Sequence, residues 1–362
     1  MRLLLSLLFA SGWTLQPIRT DSSLRGLSAL DERVAYATGS HGTVLFTLDG
    51  GRNWTKVAIE GADELDFRDV EAVGEQIVYL MSAGPGRLSR VYKSTDAGRR
   101  WTLILNNPDA QGFFDAIAFW DHDRGLIGGD PVDGKFVVMR TLDGGDSWQR
   151  IVTPANAEEG SFAASGTSLI VRPGGLAWIA TGGRGGGRVL RSTDYGVTWR
   201  ASQTPIRHDE EAAGVFSTAF RDNLHGIAVG GVYTHAEDDR DNVAITSDGG
   251  RTWSVPRGTR PKGFRSAVVF LANGDALAAG PAGTDISHDG GQSWQPFSPE
   301  GFHSLSAAGW ASGADGRIAS LHPAPMSGSE IGVRPLRPGL LENGPPPSPG
   351  EGAAHAPSHG GI

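Results

Sequence analysis

The residues best suited to chemistry recur in short, alternating, apolar-rich segments. Arg25 stands in LRGLSAL, Arg68 in FRDVEAV, Phe114 in FFDAIAF, Arg265 in FRSAVVF and His303 in FHSLSAA, and these positions align when the segments are overlaid. The positions that follow them hold Gly26, Asp69, Asp115, Ser266 and Ser304. Arg25, Arg68, Arg265 and His303, brought together from separate segments, would make a basic arc that draws in a protein or another anionic partner. Asp69 and Asp115 are the carboxyl pair these segments offer for the two-carboxylate chemistry of glycoside hydrolysis. Acidic runs at His208-Asp209-Glu210-Glu211 and Glu237-Asp238-Asp239, with Asp241, would polarise the opposite side. Asp130 and Asp133, in the loop Gly129-Asp130-Pro131-Val132-Asp133-Gly134, could bind a cation, but carboxylates beside Pro and Gly more often cap turns, so no metal site is expected. The glycine-rich run from Gly182 to Arg188 lies between strands and not before a helix, so phosphate-loop geometry is not available to it.

A repeat must hold these segments in place. Six octapeptides share the pattern Ser/Thr-x-Asp-x-Gly-x-x-Trp: TLDGGRNW, STDAGRRW, TLDGGDSW, STDYGVTW, TSDGGRTW and SHDGGQSW. Their aspartates are Asp49, Asp96, Asp143, Asp194, Asp248 and Asp289, spaced 47, 47, 51, 54 and 41 residues apart. A period of this size marks a solenoid, a propeller or an array. Within each octapeptide the Asp can accept hydrogen bonds from nearby amides, the Gly permits positive φ, and the Ser/Thr hydroxyl bonds locally. The Trp supplies a large apolar surface between neighbouring sheets. Around each octapeptide, alternation broken by Gly every 8–12 residues is the all-β pattern.

These octapeptides resemble the Asp-box, or bacterial neuraminidase repeat, of sialidases, sortilin-like receptors, xyloglucanases and photosystem II assembly and stability factors. The resemblance implies a β-propeller in which each box joins the third and fourth strands of a blade, on the rim away from the central pocket. The six box aspartates are therefore structural. After the last box the chain restarts a repeat at Gly301-Phe302-His303-Ser304 without a seventh box, and WTLQPI from Trp13 looks like the strand that follows a box Trp. Seven blades are expected, closed by the N-terminal strand so that no sheet edge stays open, with six blades as the alternative.

Over residues 13–333 the chain most resembles the assembly-factor group, whose members carry a basic patch on one face. That resemblance implies a non-catalytic platform, with Arg25, Arg68 and Arg265 as candidates for the patch. The rival reading is a glycosidase. No Arg-Ile-Pro element precedes the first blade, however, and a lone propeller lacks the second domain that completes the xyloglucanase cleft.

Composition narrows the remaining classes. A net charge of −8 argues against nucleic-acid binding. The absence of Cys excludes disulfides, thiolate metal sites and a cysteine nucleophile. No cofactor motif is present, and the propeller is expected to act as a monomer. Residues 1–12 read as a short secretory signal, with a buried first strand as the alternative, and no transmembrane span is expected. The protein is accordingly expected in the periplasm or outside the cell. Residues 334–362 are rich in Pro and Gly and read as a disordered tail, His355 and His359 included.

Overall fold

In the computed structural model the described residues are 12–155 and 158–321. The signal read into the first residues falls outside them except for Gly12, as does the whole of the tail. Among the described residues the architecture is all-β, and the single helical turn is the 3₁₀ segment Gly86–Leu88.

Seven antiparallel sheets form seven blades. The innermost strands are Leu24–Ala29 in blade 1, Asp66–Ala72 in blade 2, Phe114–Phe119 in blade 3, Leu169–Arg172 in blade 4, Ala213–Phe220 in blade 5, Ala267–Phe270 in blade 6 and Ser304–Leu305 in blade 7. Each innermost strand packs on the next, and blade 7 returns to blade 1. Closure takes the expected form. Thr14 and Leu15 pair with Ser320 and Ala319, so the N-terminal strand is the outermost strand of blade 7. Trp13 fastens that strand: it is 4% exposed and packs on Phe302 and Phe297 at centroid distances of 5.2 and 6.0 Å. Blade 5 departs from the four-stranded pattern. Its third strand, Val243–Thr246, meets the following segment through a single bridge, Ile245 to Ser254. Pro256 two residues later has no amide to donate, which stops a fourth strand from extending.

The boxes form the hydrogen-bonded turns expected of them. In the first, Thr47 Oγ1 donates to Asp49 Oδ1 at 2.9 Å and accepts from the Gly51 amide at 2.9 Å. Asp49 also accepts from the Asn53 amide and side chain, at 2.9 and 2.7 Å. Gly51 sits at φ 84°, a conformation that a residue with a Cβ resists. Strand register fixes which end of each blade this is. In blade 1 Ala29 faces Ala35 and Ala35 faces Thr47 at the box end, while Leu24 faces Gly39 and Gly39 faces Thr43 at the other.

Candidate functional site

A bulge recurs near the start of the innermost strands, at the end opposite the boxes. In blades 1, 2, 3 and 5 the register slips between Leu24 and Gly26, Phe67 and Asp69, Phe114 and Ala116, and Val215 and Ser217. The extra residues are Arg25, Arg68, Asp115 and Phe216. Blades 6 and 7 do the same with Ser266 and His303. Their amides reach the carbonyls of Ala279 and Ser312, which already face Ala267 and Ser304. A bulge re-aims the side chain of its extra residue. Here all six line one cavity of about 800 Å³ at that mouth.

This frame corrects the sequence alignment at two blades. Phe114 and Arg265 are not counterparts of Arg68; they occupy the place of Phe67, and Asp115 and Ser266 take the bulge. A slip of one residue turns a strand side chain to the other face. Arg265 is consequently buried, at 1% exposure, and does not line the cavity. Its Nε donates to Asp285 Oδ2 at 2.9 Å and its Nη1 to the Phe264 carbonyl at 3.0 Å.

Two cations remain of the expected arc. Arg68 is partly buried and donates through Nε to Asp66 at 2.7 Å. Arg25 is half-buried beside it, and its guanidinium has no hydrogen-bond or ion-pair partner among the described residues. Burial, reinforced by the neighbouring charge of Arg68, lowers its pKa from the ordinary value. His303 adds shape but not charge. Burial, with Arg25, Arg317 and Arg68 nearby, pushes it down to about 4, so it is neutral near pH 7.

Beyond Arg68, from blade 3 onward, the wall is acidic and aromatic. Asp115 and Asp130 stand on the first two strands of blade 3 and open into the cavity. Phe162 stacks on Phe216 with centroids 3.8 Å apart, and Phe264 meets Phe216 edge-on at 4.6 Å. Tyr233, 53% exposed, stands at the rim. The glycine-rich run serves this wall by close approach: a Cβ on Gly182 would come within 2.1 Å of the Phe162 ring. The acidic loops are largely self-neutralised. Arg207 pairs with Asp209, Glu210 and Asp238, and Arg260 with Asp241.

Asp69 and Asp115 do not share a cleft. Asp69 accepts from the amides of Val70 and Ile117, at 2.9 and 2.8 Å. It lines a separate cavity of about 170 Å³ with Glu71 and residues of blade 4, and Asp115 does not line that cavity. Burial, opposed by those two amides, pushes Asp69 up to about 7. Burial, with Asp69 beside it, pushes Glu71 up to about 8. Sequence reasoning missed Phe162, Phe216, Phe264, Tyr233 and the cavity role of Asp130. Phe216 had a legible signal, because AGVFSTAF repeats the spacing of the other inner strands.

Seven blades, six of them with a box after the third strand, and a cavity at the far mouth define an Asp-box β-propeller. The model for the BNR/Asp-box repeat matches residues 285–296. The chain is similar to the photosystem II assembly lipoprotein Ycf48 of Synechococcus sp. (strain CC9902), with 25% identity over 291 residues, 79% of this chain and 78% of that one. The solved structure of YCF48 bound to D1 peptide shares the fold at TM-score 0.62 and 17% identity, over 86% of this chain and 95% of that one. Xyloglucanase Xgh74A of Acetivibrio thermocellus is 25% identical over 188 residues, 47% of this chain but 22% of that enzyme. No helix among the described residues is long and apolar enough to cross a membrane.

Proposed function

We propose that this protein is an exported, non-catalytic binding platform. It takes a segment of a partner protein into the mouth opposite the boxes, with an anionic group of that segment against Arg25 and Arg68. The observation that carries this reading is Arg25, a half-buried guanidinium with no hydrogen-bond or ion-pair partner among the described residues, facing a cavity large enough for several side chains. A buried cation gains most from a ligand that supplies both opposite charge and hydrogen-bond acceptors. The similarity to the Synechococcus assembly lipoprotein Ycf48 supports this reading, as does the solved YCF48 that shares the fold and holds a D1 peptide.

Hydrolysis of a glycan is the second reading, and the xyloglucanase similarity is what favours it. The division of Asp69 and Asp115 between two cavities weighs against it, because that chemistry needs both carboxyls on one bond. The test is retention of a native-host protein on immobilised wild type and on an Arg25→Ala/Arg68→Ala variant with unchanged melting temperature. A protein held by the first and lost by the second supports the platform. Equal retention refutes it, and turnover of xyloglucan oligosaccharides or fluorogenic sialosides that Asp115→Asn abolishes would make the protein a hydrolase.

A further inference from the structure

The acidic wall plays no part in holding an anionic group, yet it is built with care. Asp115 and Asp130 are both tied to the connection that enters blade 4. The Ala163 amide stabilises the charged form of the Asp115 carboxyl, and the Ser161 amide donates to Asp130 Oδ1 at 3.2 Å. Phe162, between those two amides, lays its ring on Phe216, and Tyr233 stands edge-on to both at 6.2 Å. Three consecutive residues thus place two carboxyls against an aromatic wall. Asp115 is 1% exposed, and its Oδ2 has no hydrogen-bond partner among the described residues. A buried acceptor left in this state is unfavourable until something donates to it. Arg68 does not fill that role, since its ion pair is with Asp66.

We propose that Asp115 and Asp130, with the wall of Phe162, Phe216 and Tyr233, form a subsite for an organic cation, a lysine ammonium or arginine guanidinium on the bound segment. The subsite rests on the cavity being the binding site, as proposed above. An ammonium or guanidinium supplies the donors that Oδ2 lacks and a charge that both carboxyls attract. Its alkyl stem and charge both suit the faces of aromatic rings. A hard metal ion fits less well, because it takes about six or more oxygen ligands. Among the described residues no group of three or more His, Asp or Glu is gathered for one. A neutral alkyl group would leave Oδ2 unpaired. Burial, with Asp130 nearby, holds Asp115 well above the usual carboxylate range against the opposing charge of Arg68 and the Ala163 amide, and burial raises Asp130 as well. An arriving cation stabilises the ionised forms that the empty site disfavours.

The cavity therefore reads its partner at two points, an anionic group at Arg25 and Arg68 and a cationic one at Asp115 and Asp130 on the neighbouring blade. The probe is dansylcadaverine, a flat ring on a five-carbon primary ammonium, followed by fluorescence anisotropy beside its N-acetylated neutral form. The full-length protein is expected to bind the amine at least tenfold tighter than the acetylated form. Asp115→Asn/Asp130→Asn should erase that preference. Asn matches Asp in shape and keeps an acceptor for each amide, and Asp130→Asn alone, at the less buried position, provides the comparison if the double variant melts early. Equal affinity for the two forms, no saturable amine binding up to millimolar concentration, or an unchanged preference in Asp130→Asn and the double variant overturns the subsite. Those results leave the partner-retention test with Arg25→Ala/Arg68→Ala untouched, so the two readings fail separately.

Discussion

Replacing Arg265 by alanine separates the structure from the plainer reading of the sequence. Arg265 and Asp285 are 1% and 2% exposed, and the guanidinium donates to Asp285 Oδ2 through both Nε and Nη2. The same oxygen accepts from the Lys262 amide at 3.0 Å, which cannot neutralise a carboxylate alone. Removing the arginine therefore leaves a buried charge unpaired, a change that costs about 3–5 kcal/mol. At the ~2 °C per kcal/mol expected of a large domain, the melting temperature should fall by roughly 6–10 °C. Urea unfolding of Arg265→Ala should show a lower midpoint at an unchanged slope. Arg265→Met/Asp285→Leu should recover most of the loss, because replacing both partners by apolar groups strands neither. A loss within about 0.5 kcal/mol, the range of ordinary surface changes, would refute the reasoning. It would mean that Arg265 faces solvent and that blade 6 is shifted by one residue from the pairing of Ala267 with Ala279.

Two further outcomes follow from ring closure and from the burial of Asp69. Trp13→Ala should cost about 3–5 kcal/mol, the range for deleting a buried Trp, and calorimetry would register it if the N-terminal strand closes blade 7. Asp69, pushed up to about 7 by burial, binds a proton in the folded state that the unfolded chain releases near pH 4. Its contribution is fully present below pH ~4 and is lost as pH rises through about 7, a span worth ~4 kcal/mol, so stability in Asp69→Asn should fall less steeply over that range, keeping only the share of neighbouring Glu71.

The repeat was legible because each box carries its own turn. Thr47, Asp49 and Gly51 bond within a few residues, so the octapeptide needs no distant partner to be recognised. Closure was legible for a similar reason, since WTLQPI copies the strand after a box. The inner strands were harder. Their alternation fixes a two-residue period, but the bulge inserts one residue at a point that side-chain types do not mark. FFDAIAF and FRSAVVF each offer an aromatic one place early, and an overlay by aromatic residue then sends Arg265 to the cavity and Asp115 away from it. The aromatic wall was hidden by distance in sequence. Phe162, Phe216, Tyr233 and Phe264 come from the connection into blade 4, two parts of blade 5 and the entry to blade 6, and only the ring brings them together.

The central claim is that the partner enters the mouth lined by the bulged residues and not the face that carries the boxes. Photo-crosslinking from single sites tests it most directly, with Tyr233→p-benzoylphenylalanine at the cavity rim and Val197→p-benzoylphenylalanine inside the fourth box, both positions exposed. In native-host extract, the probe at 233 should join covalently to the protein that wild type retains, and the probe at 197 should not. Crosslinking from 197 with none from 233 would place the partner on the box face and contradict the account.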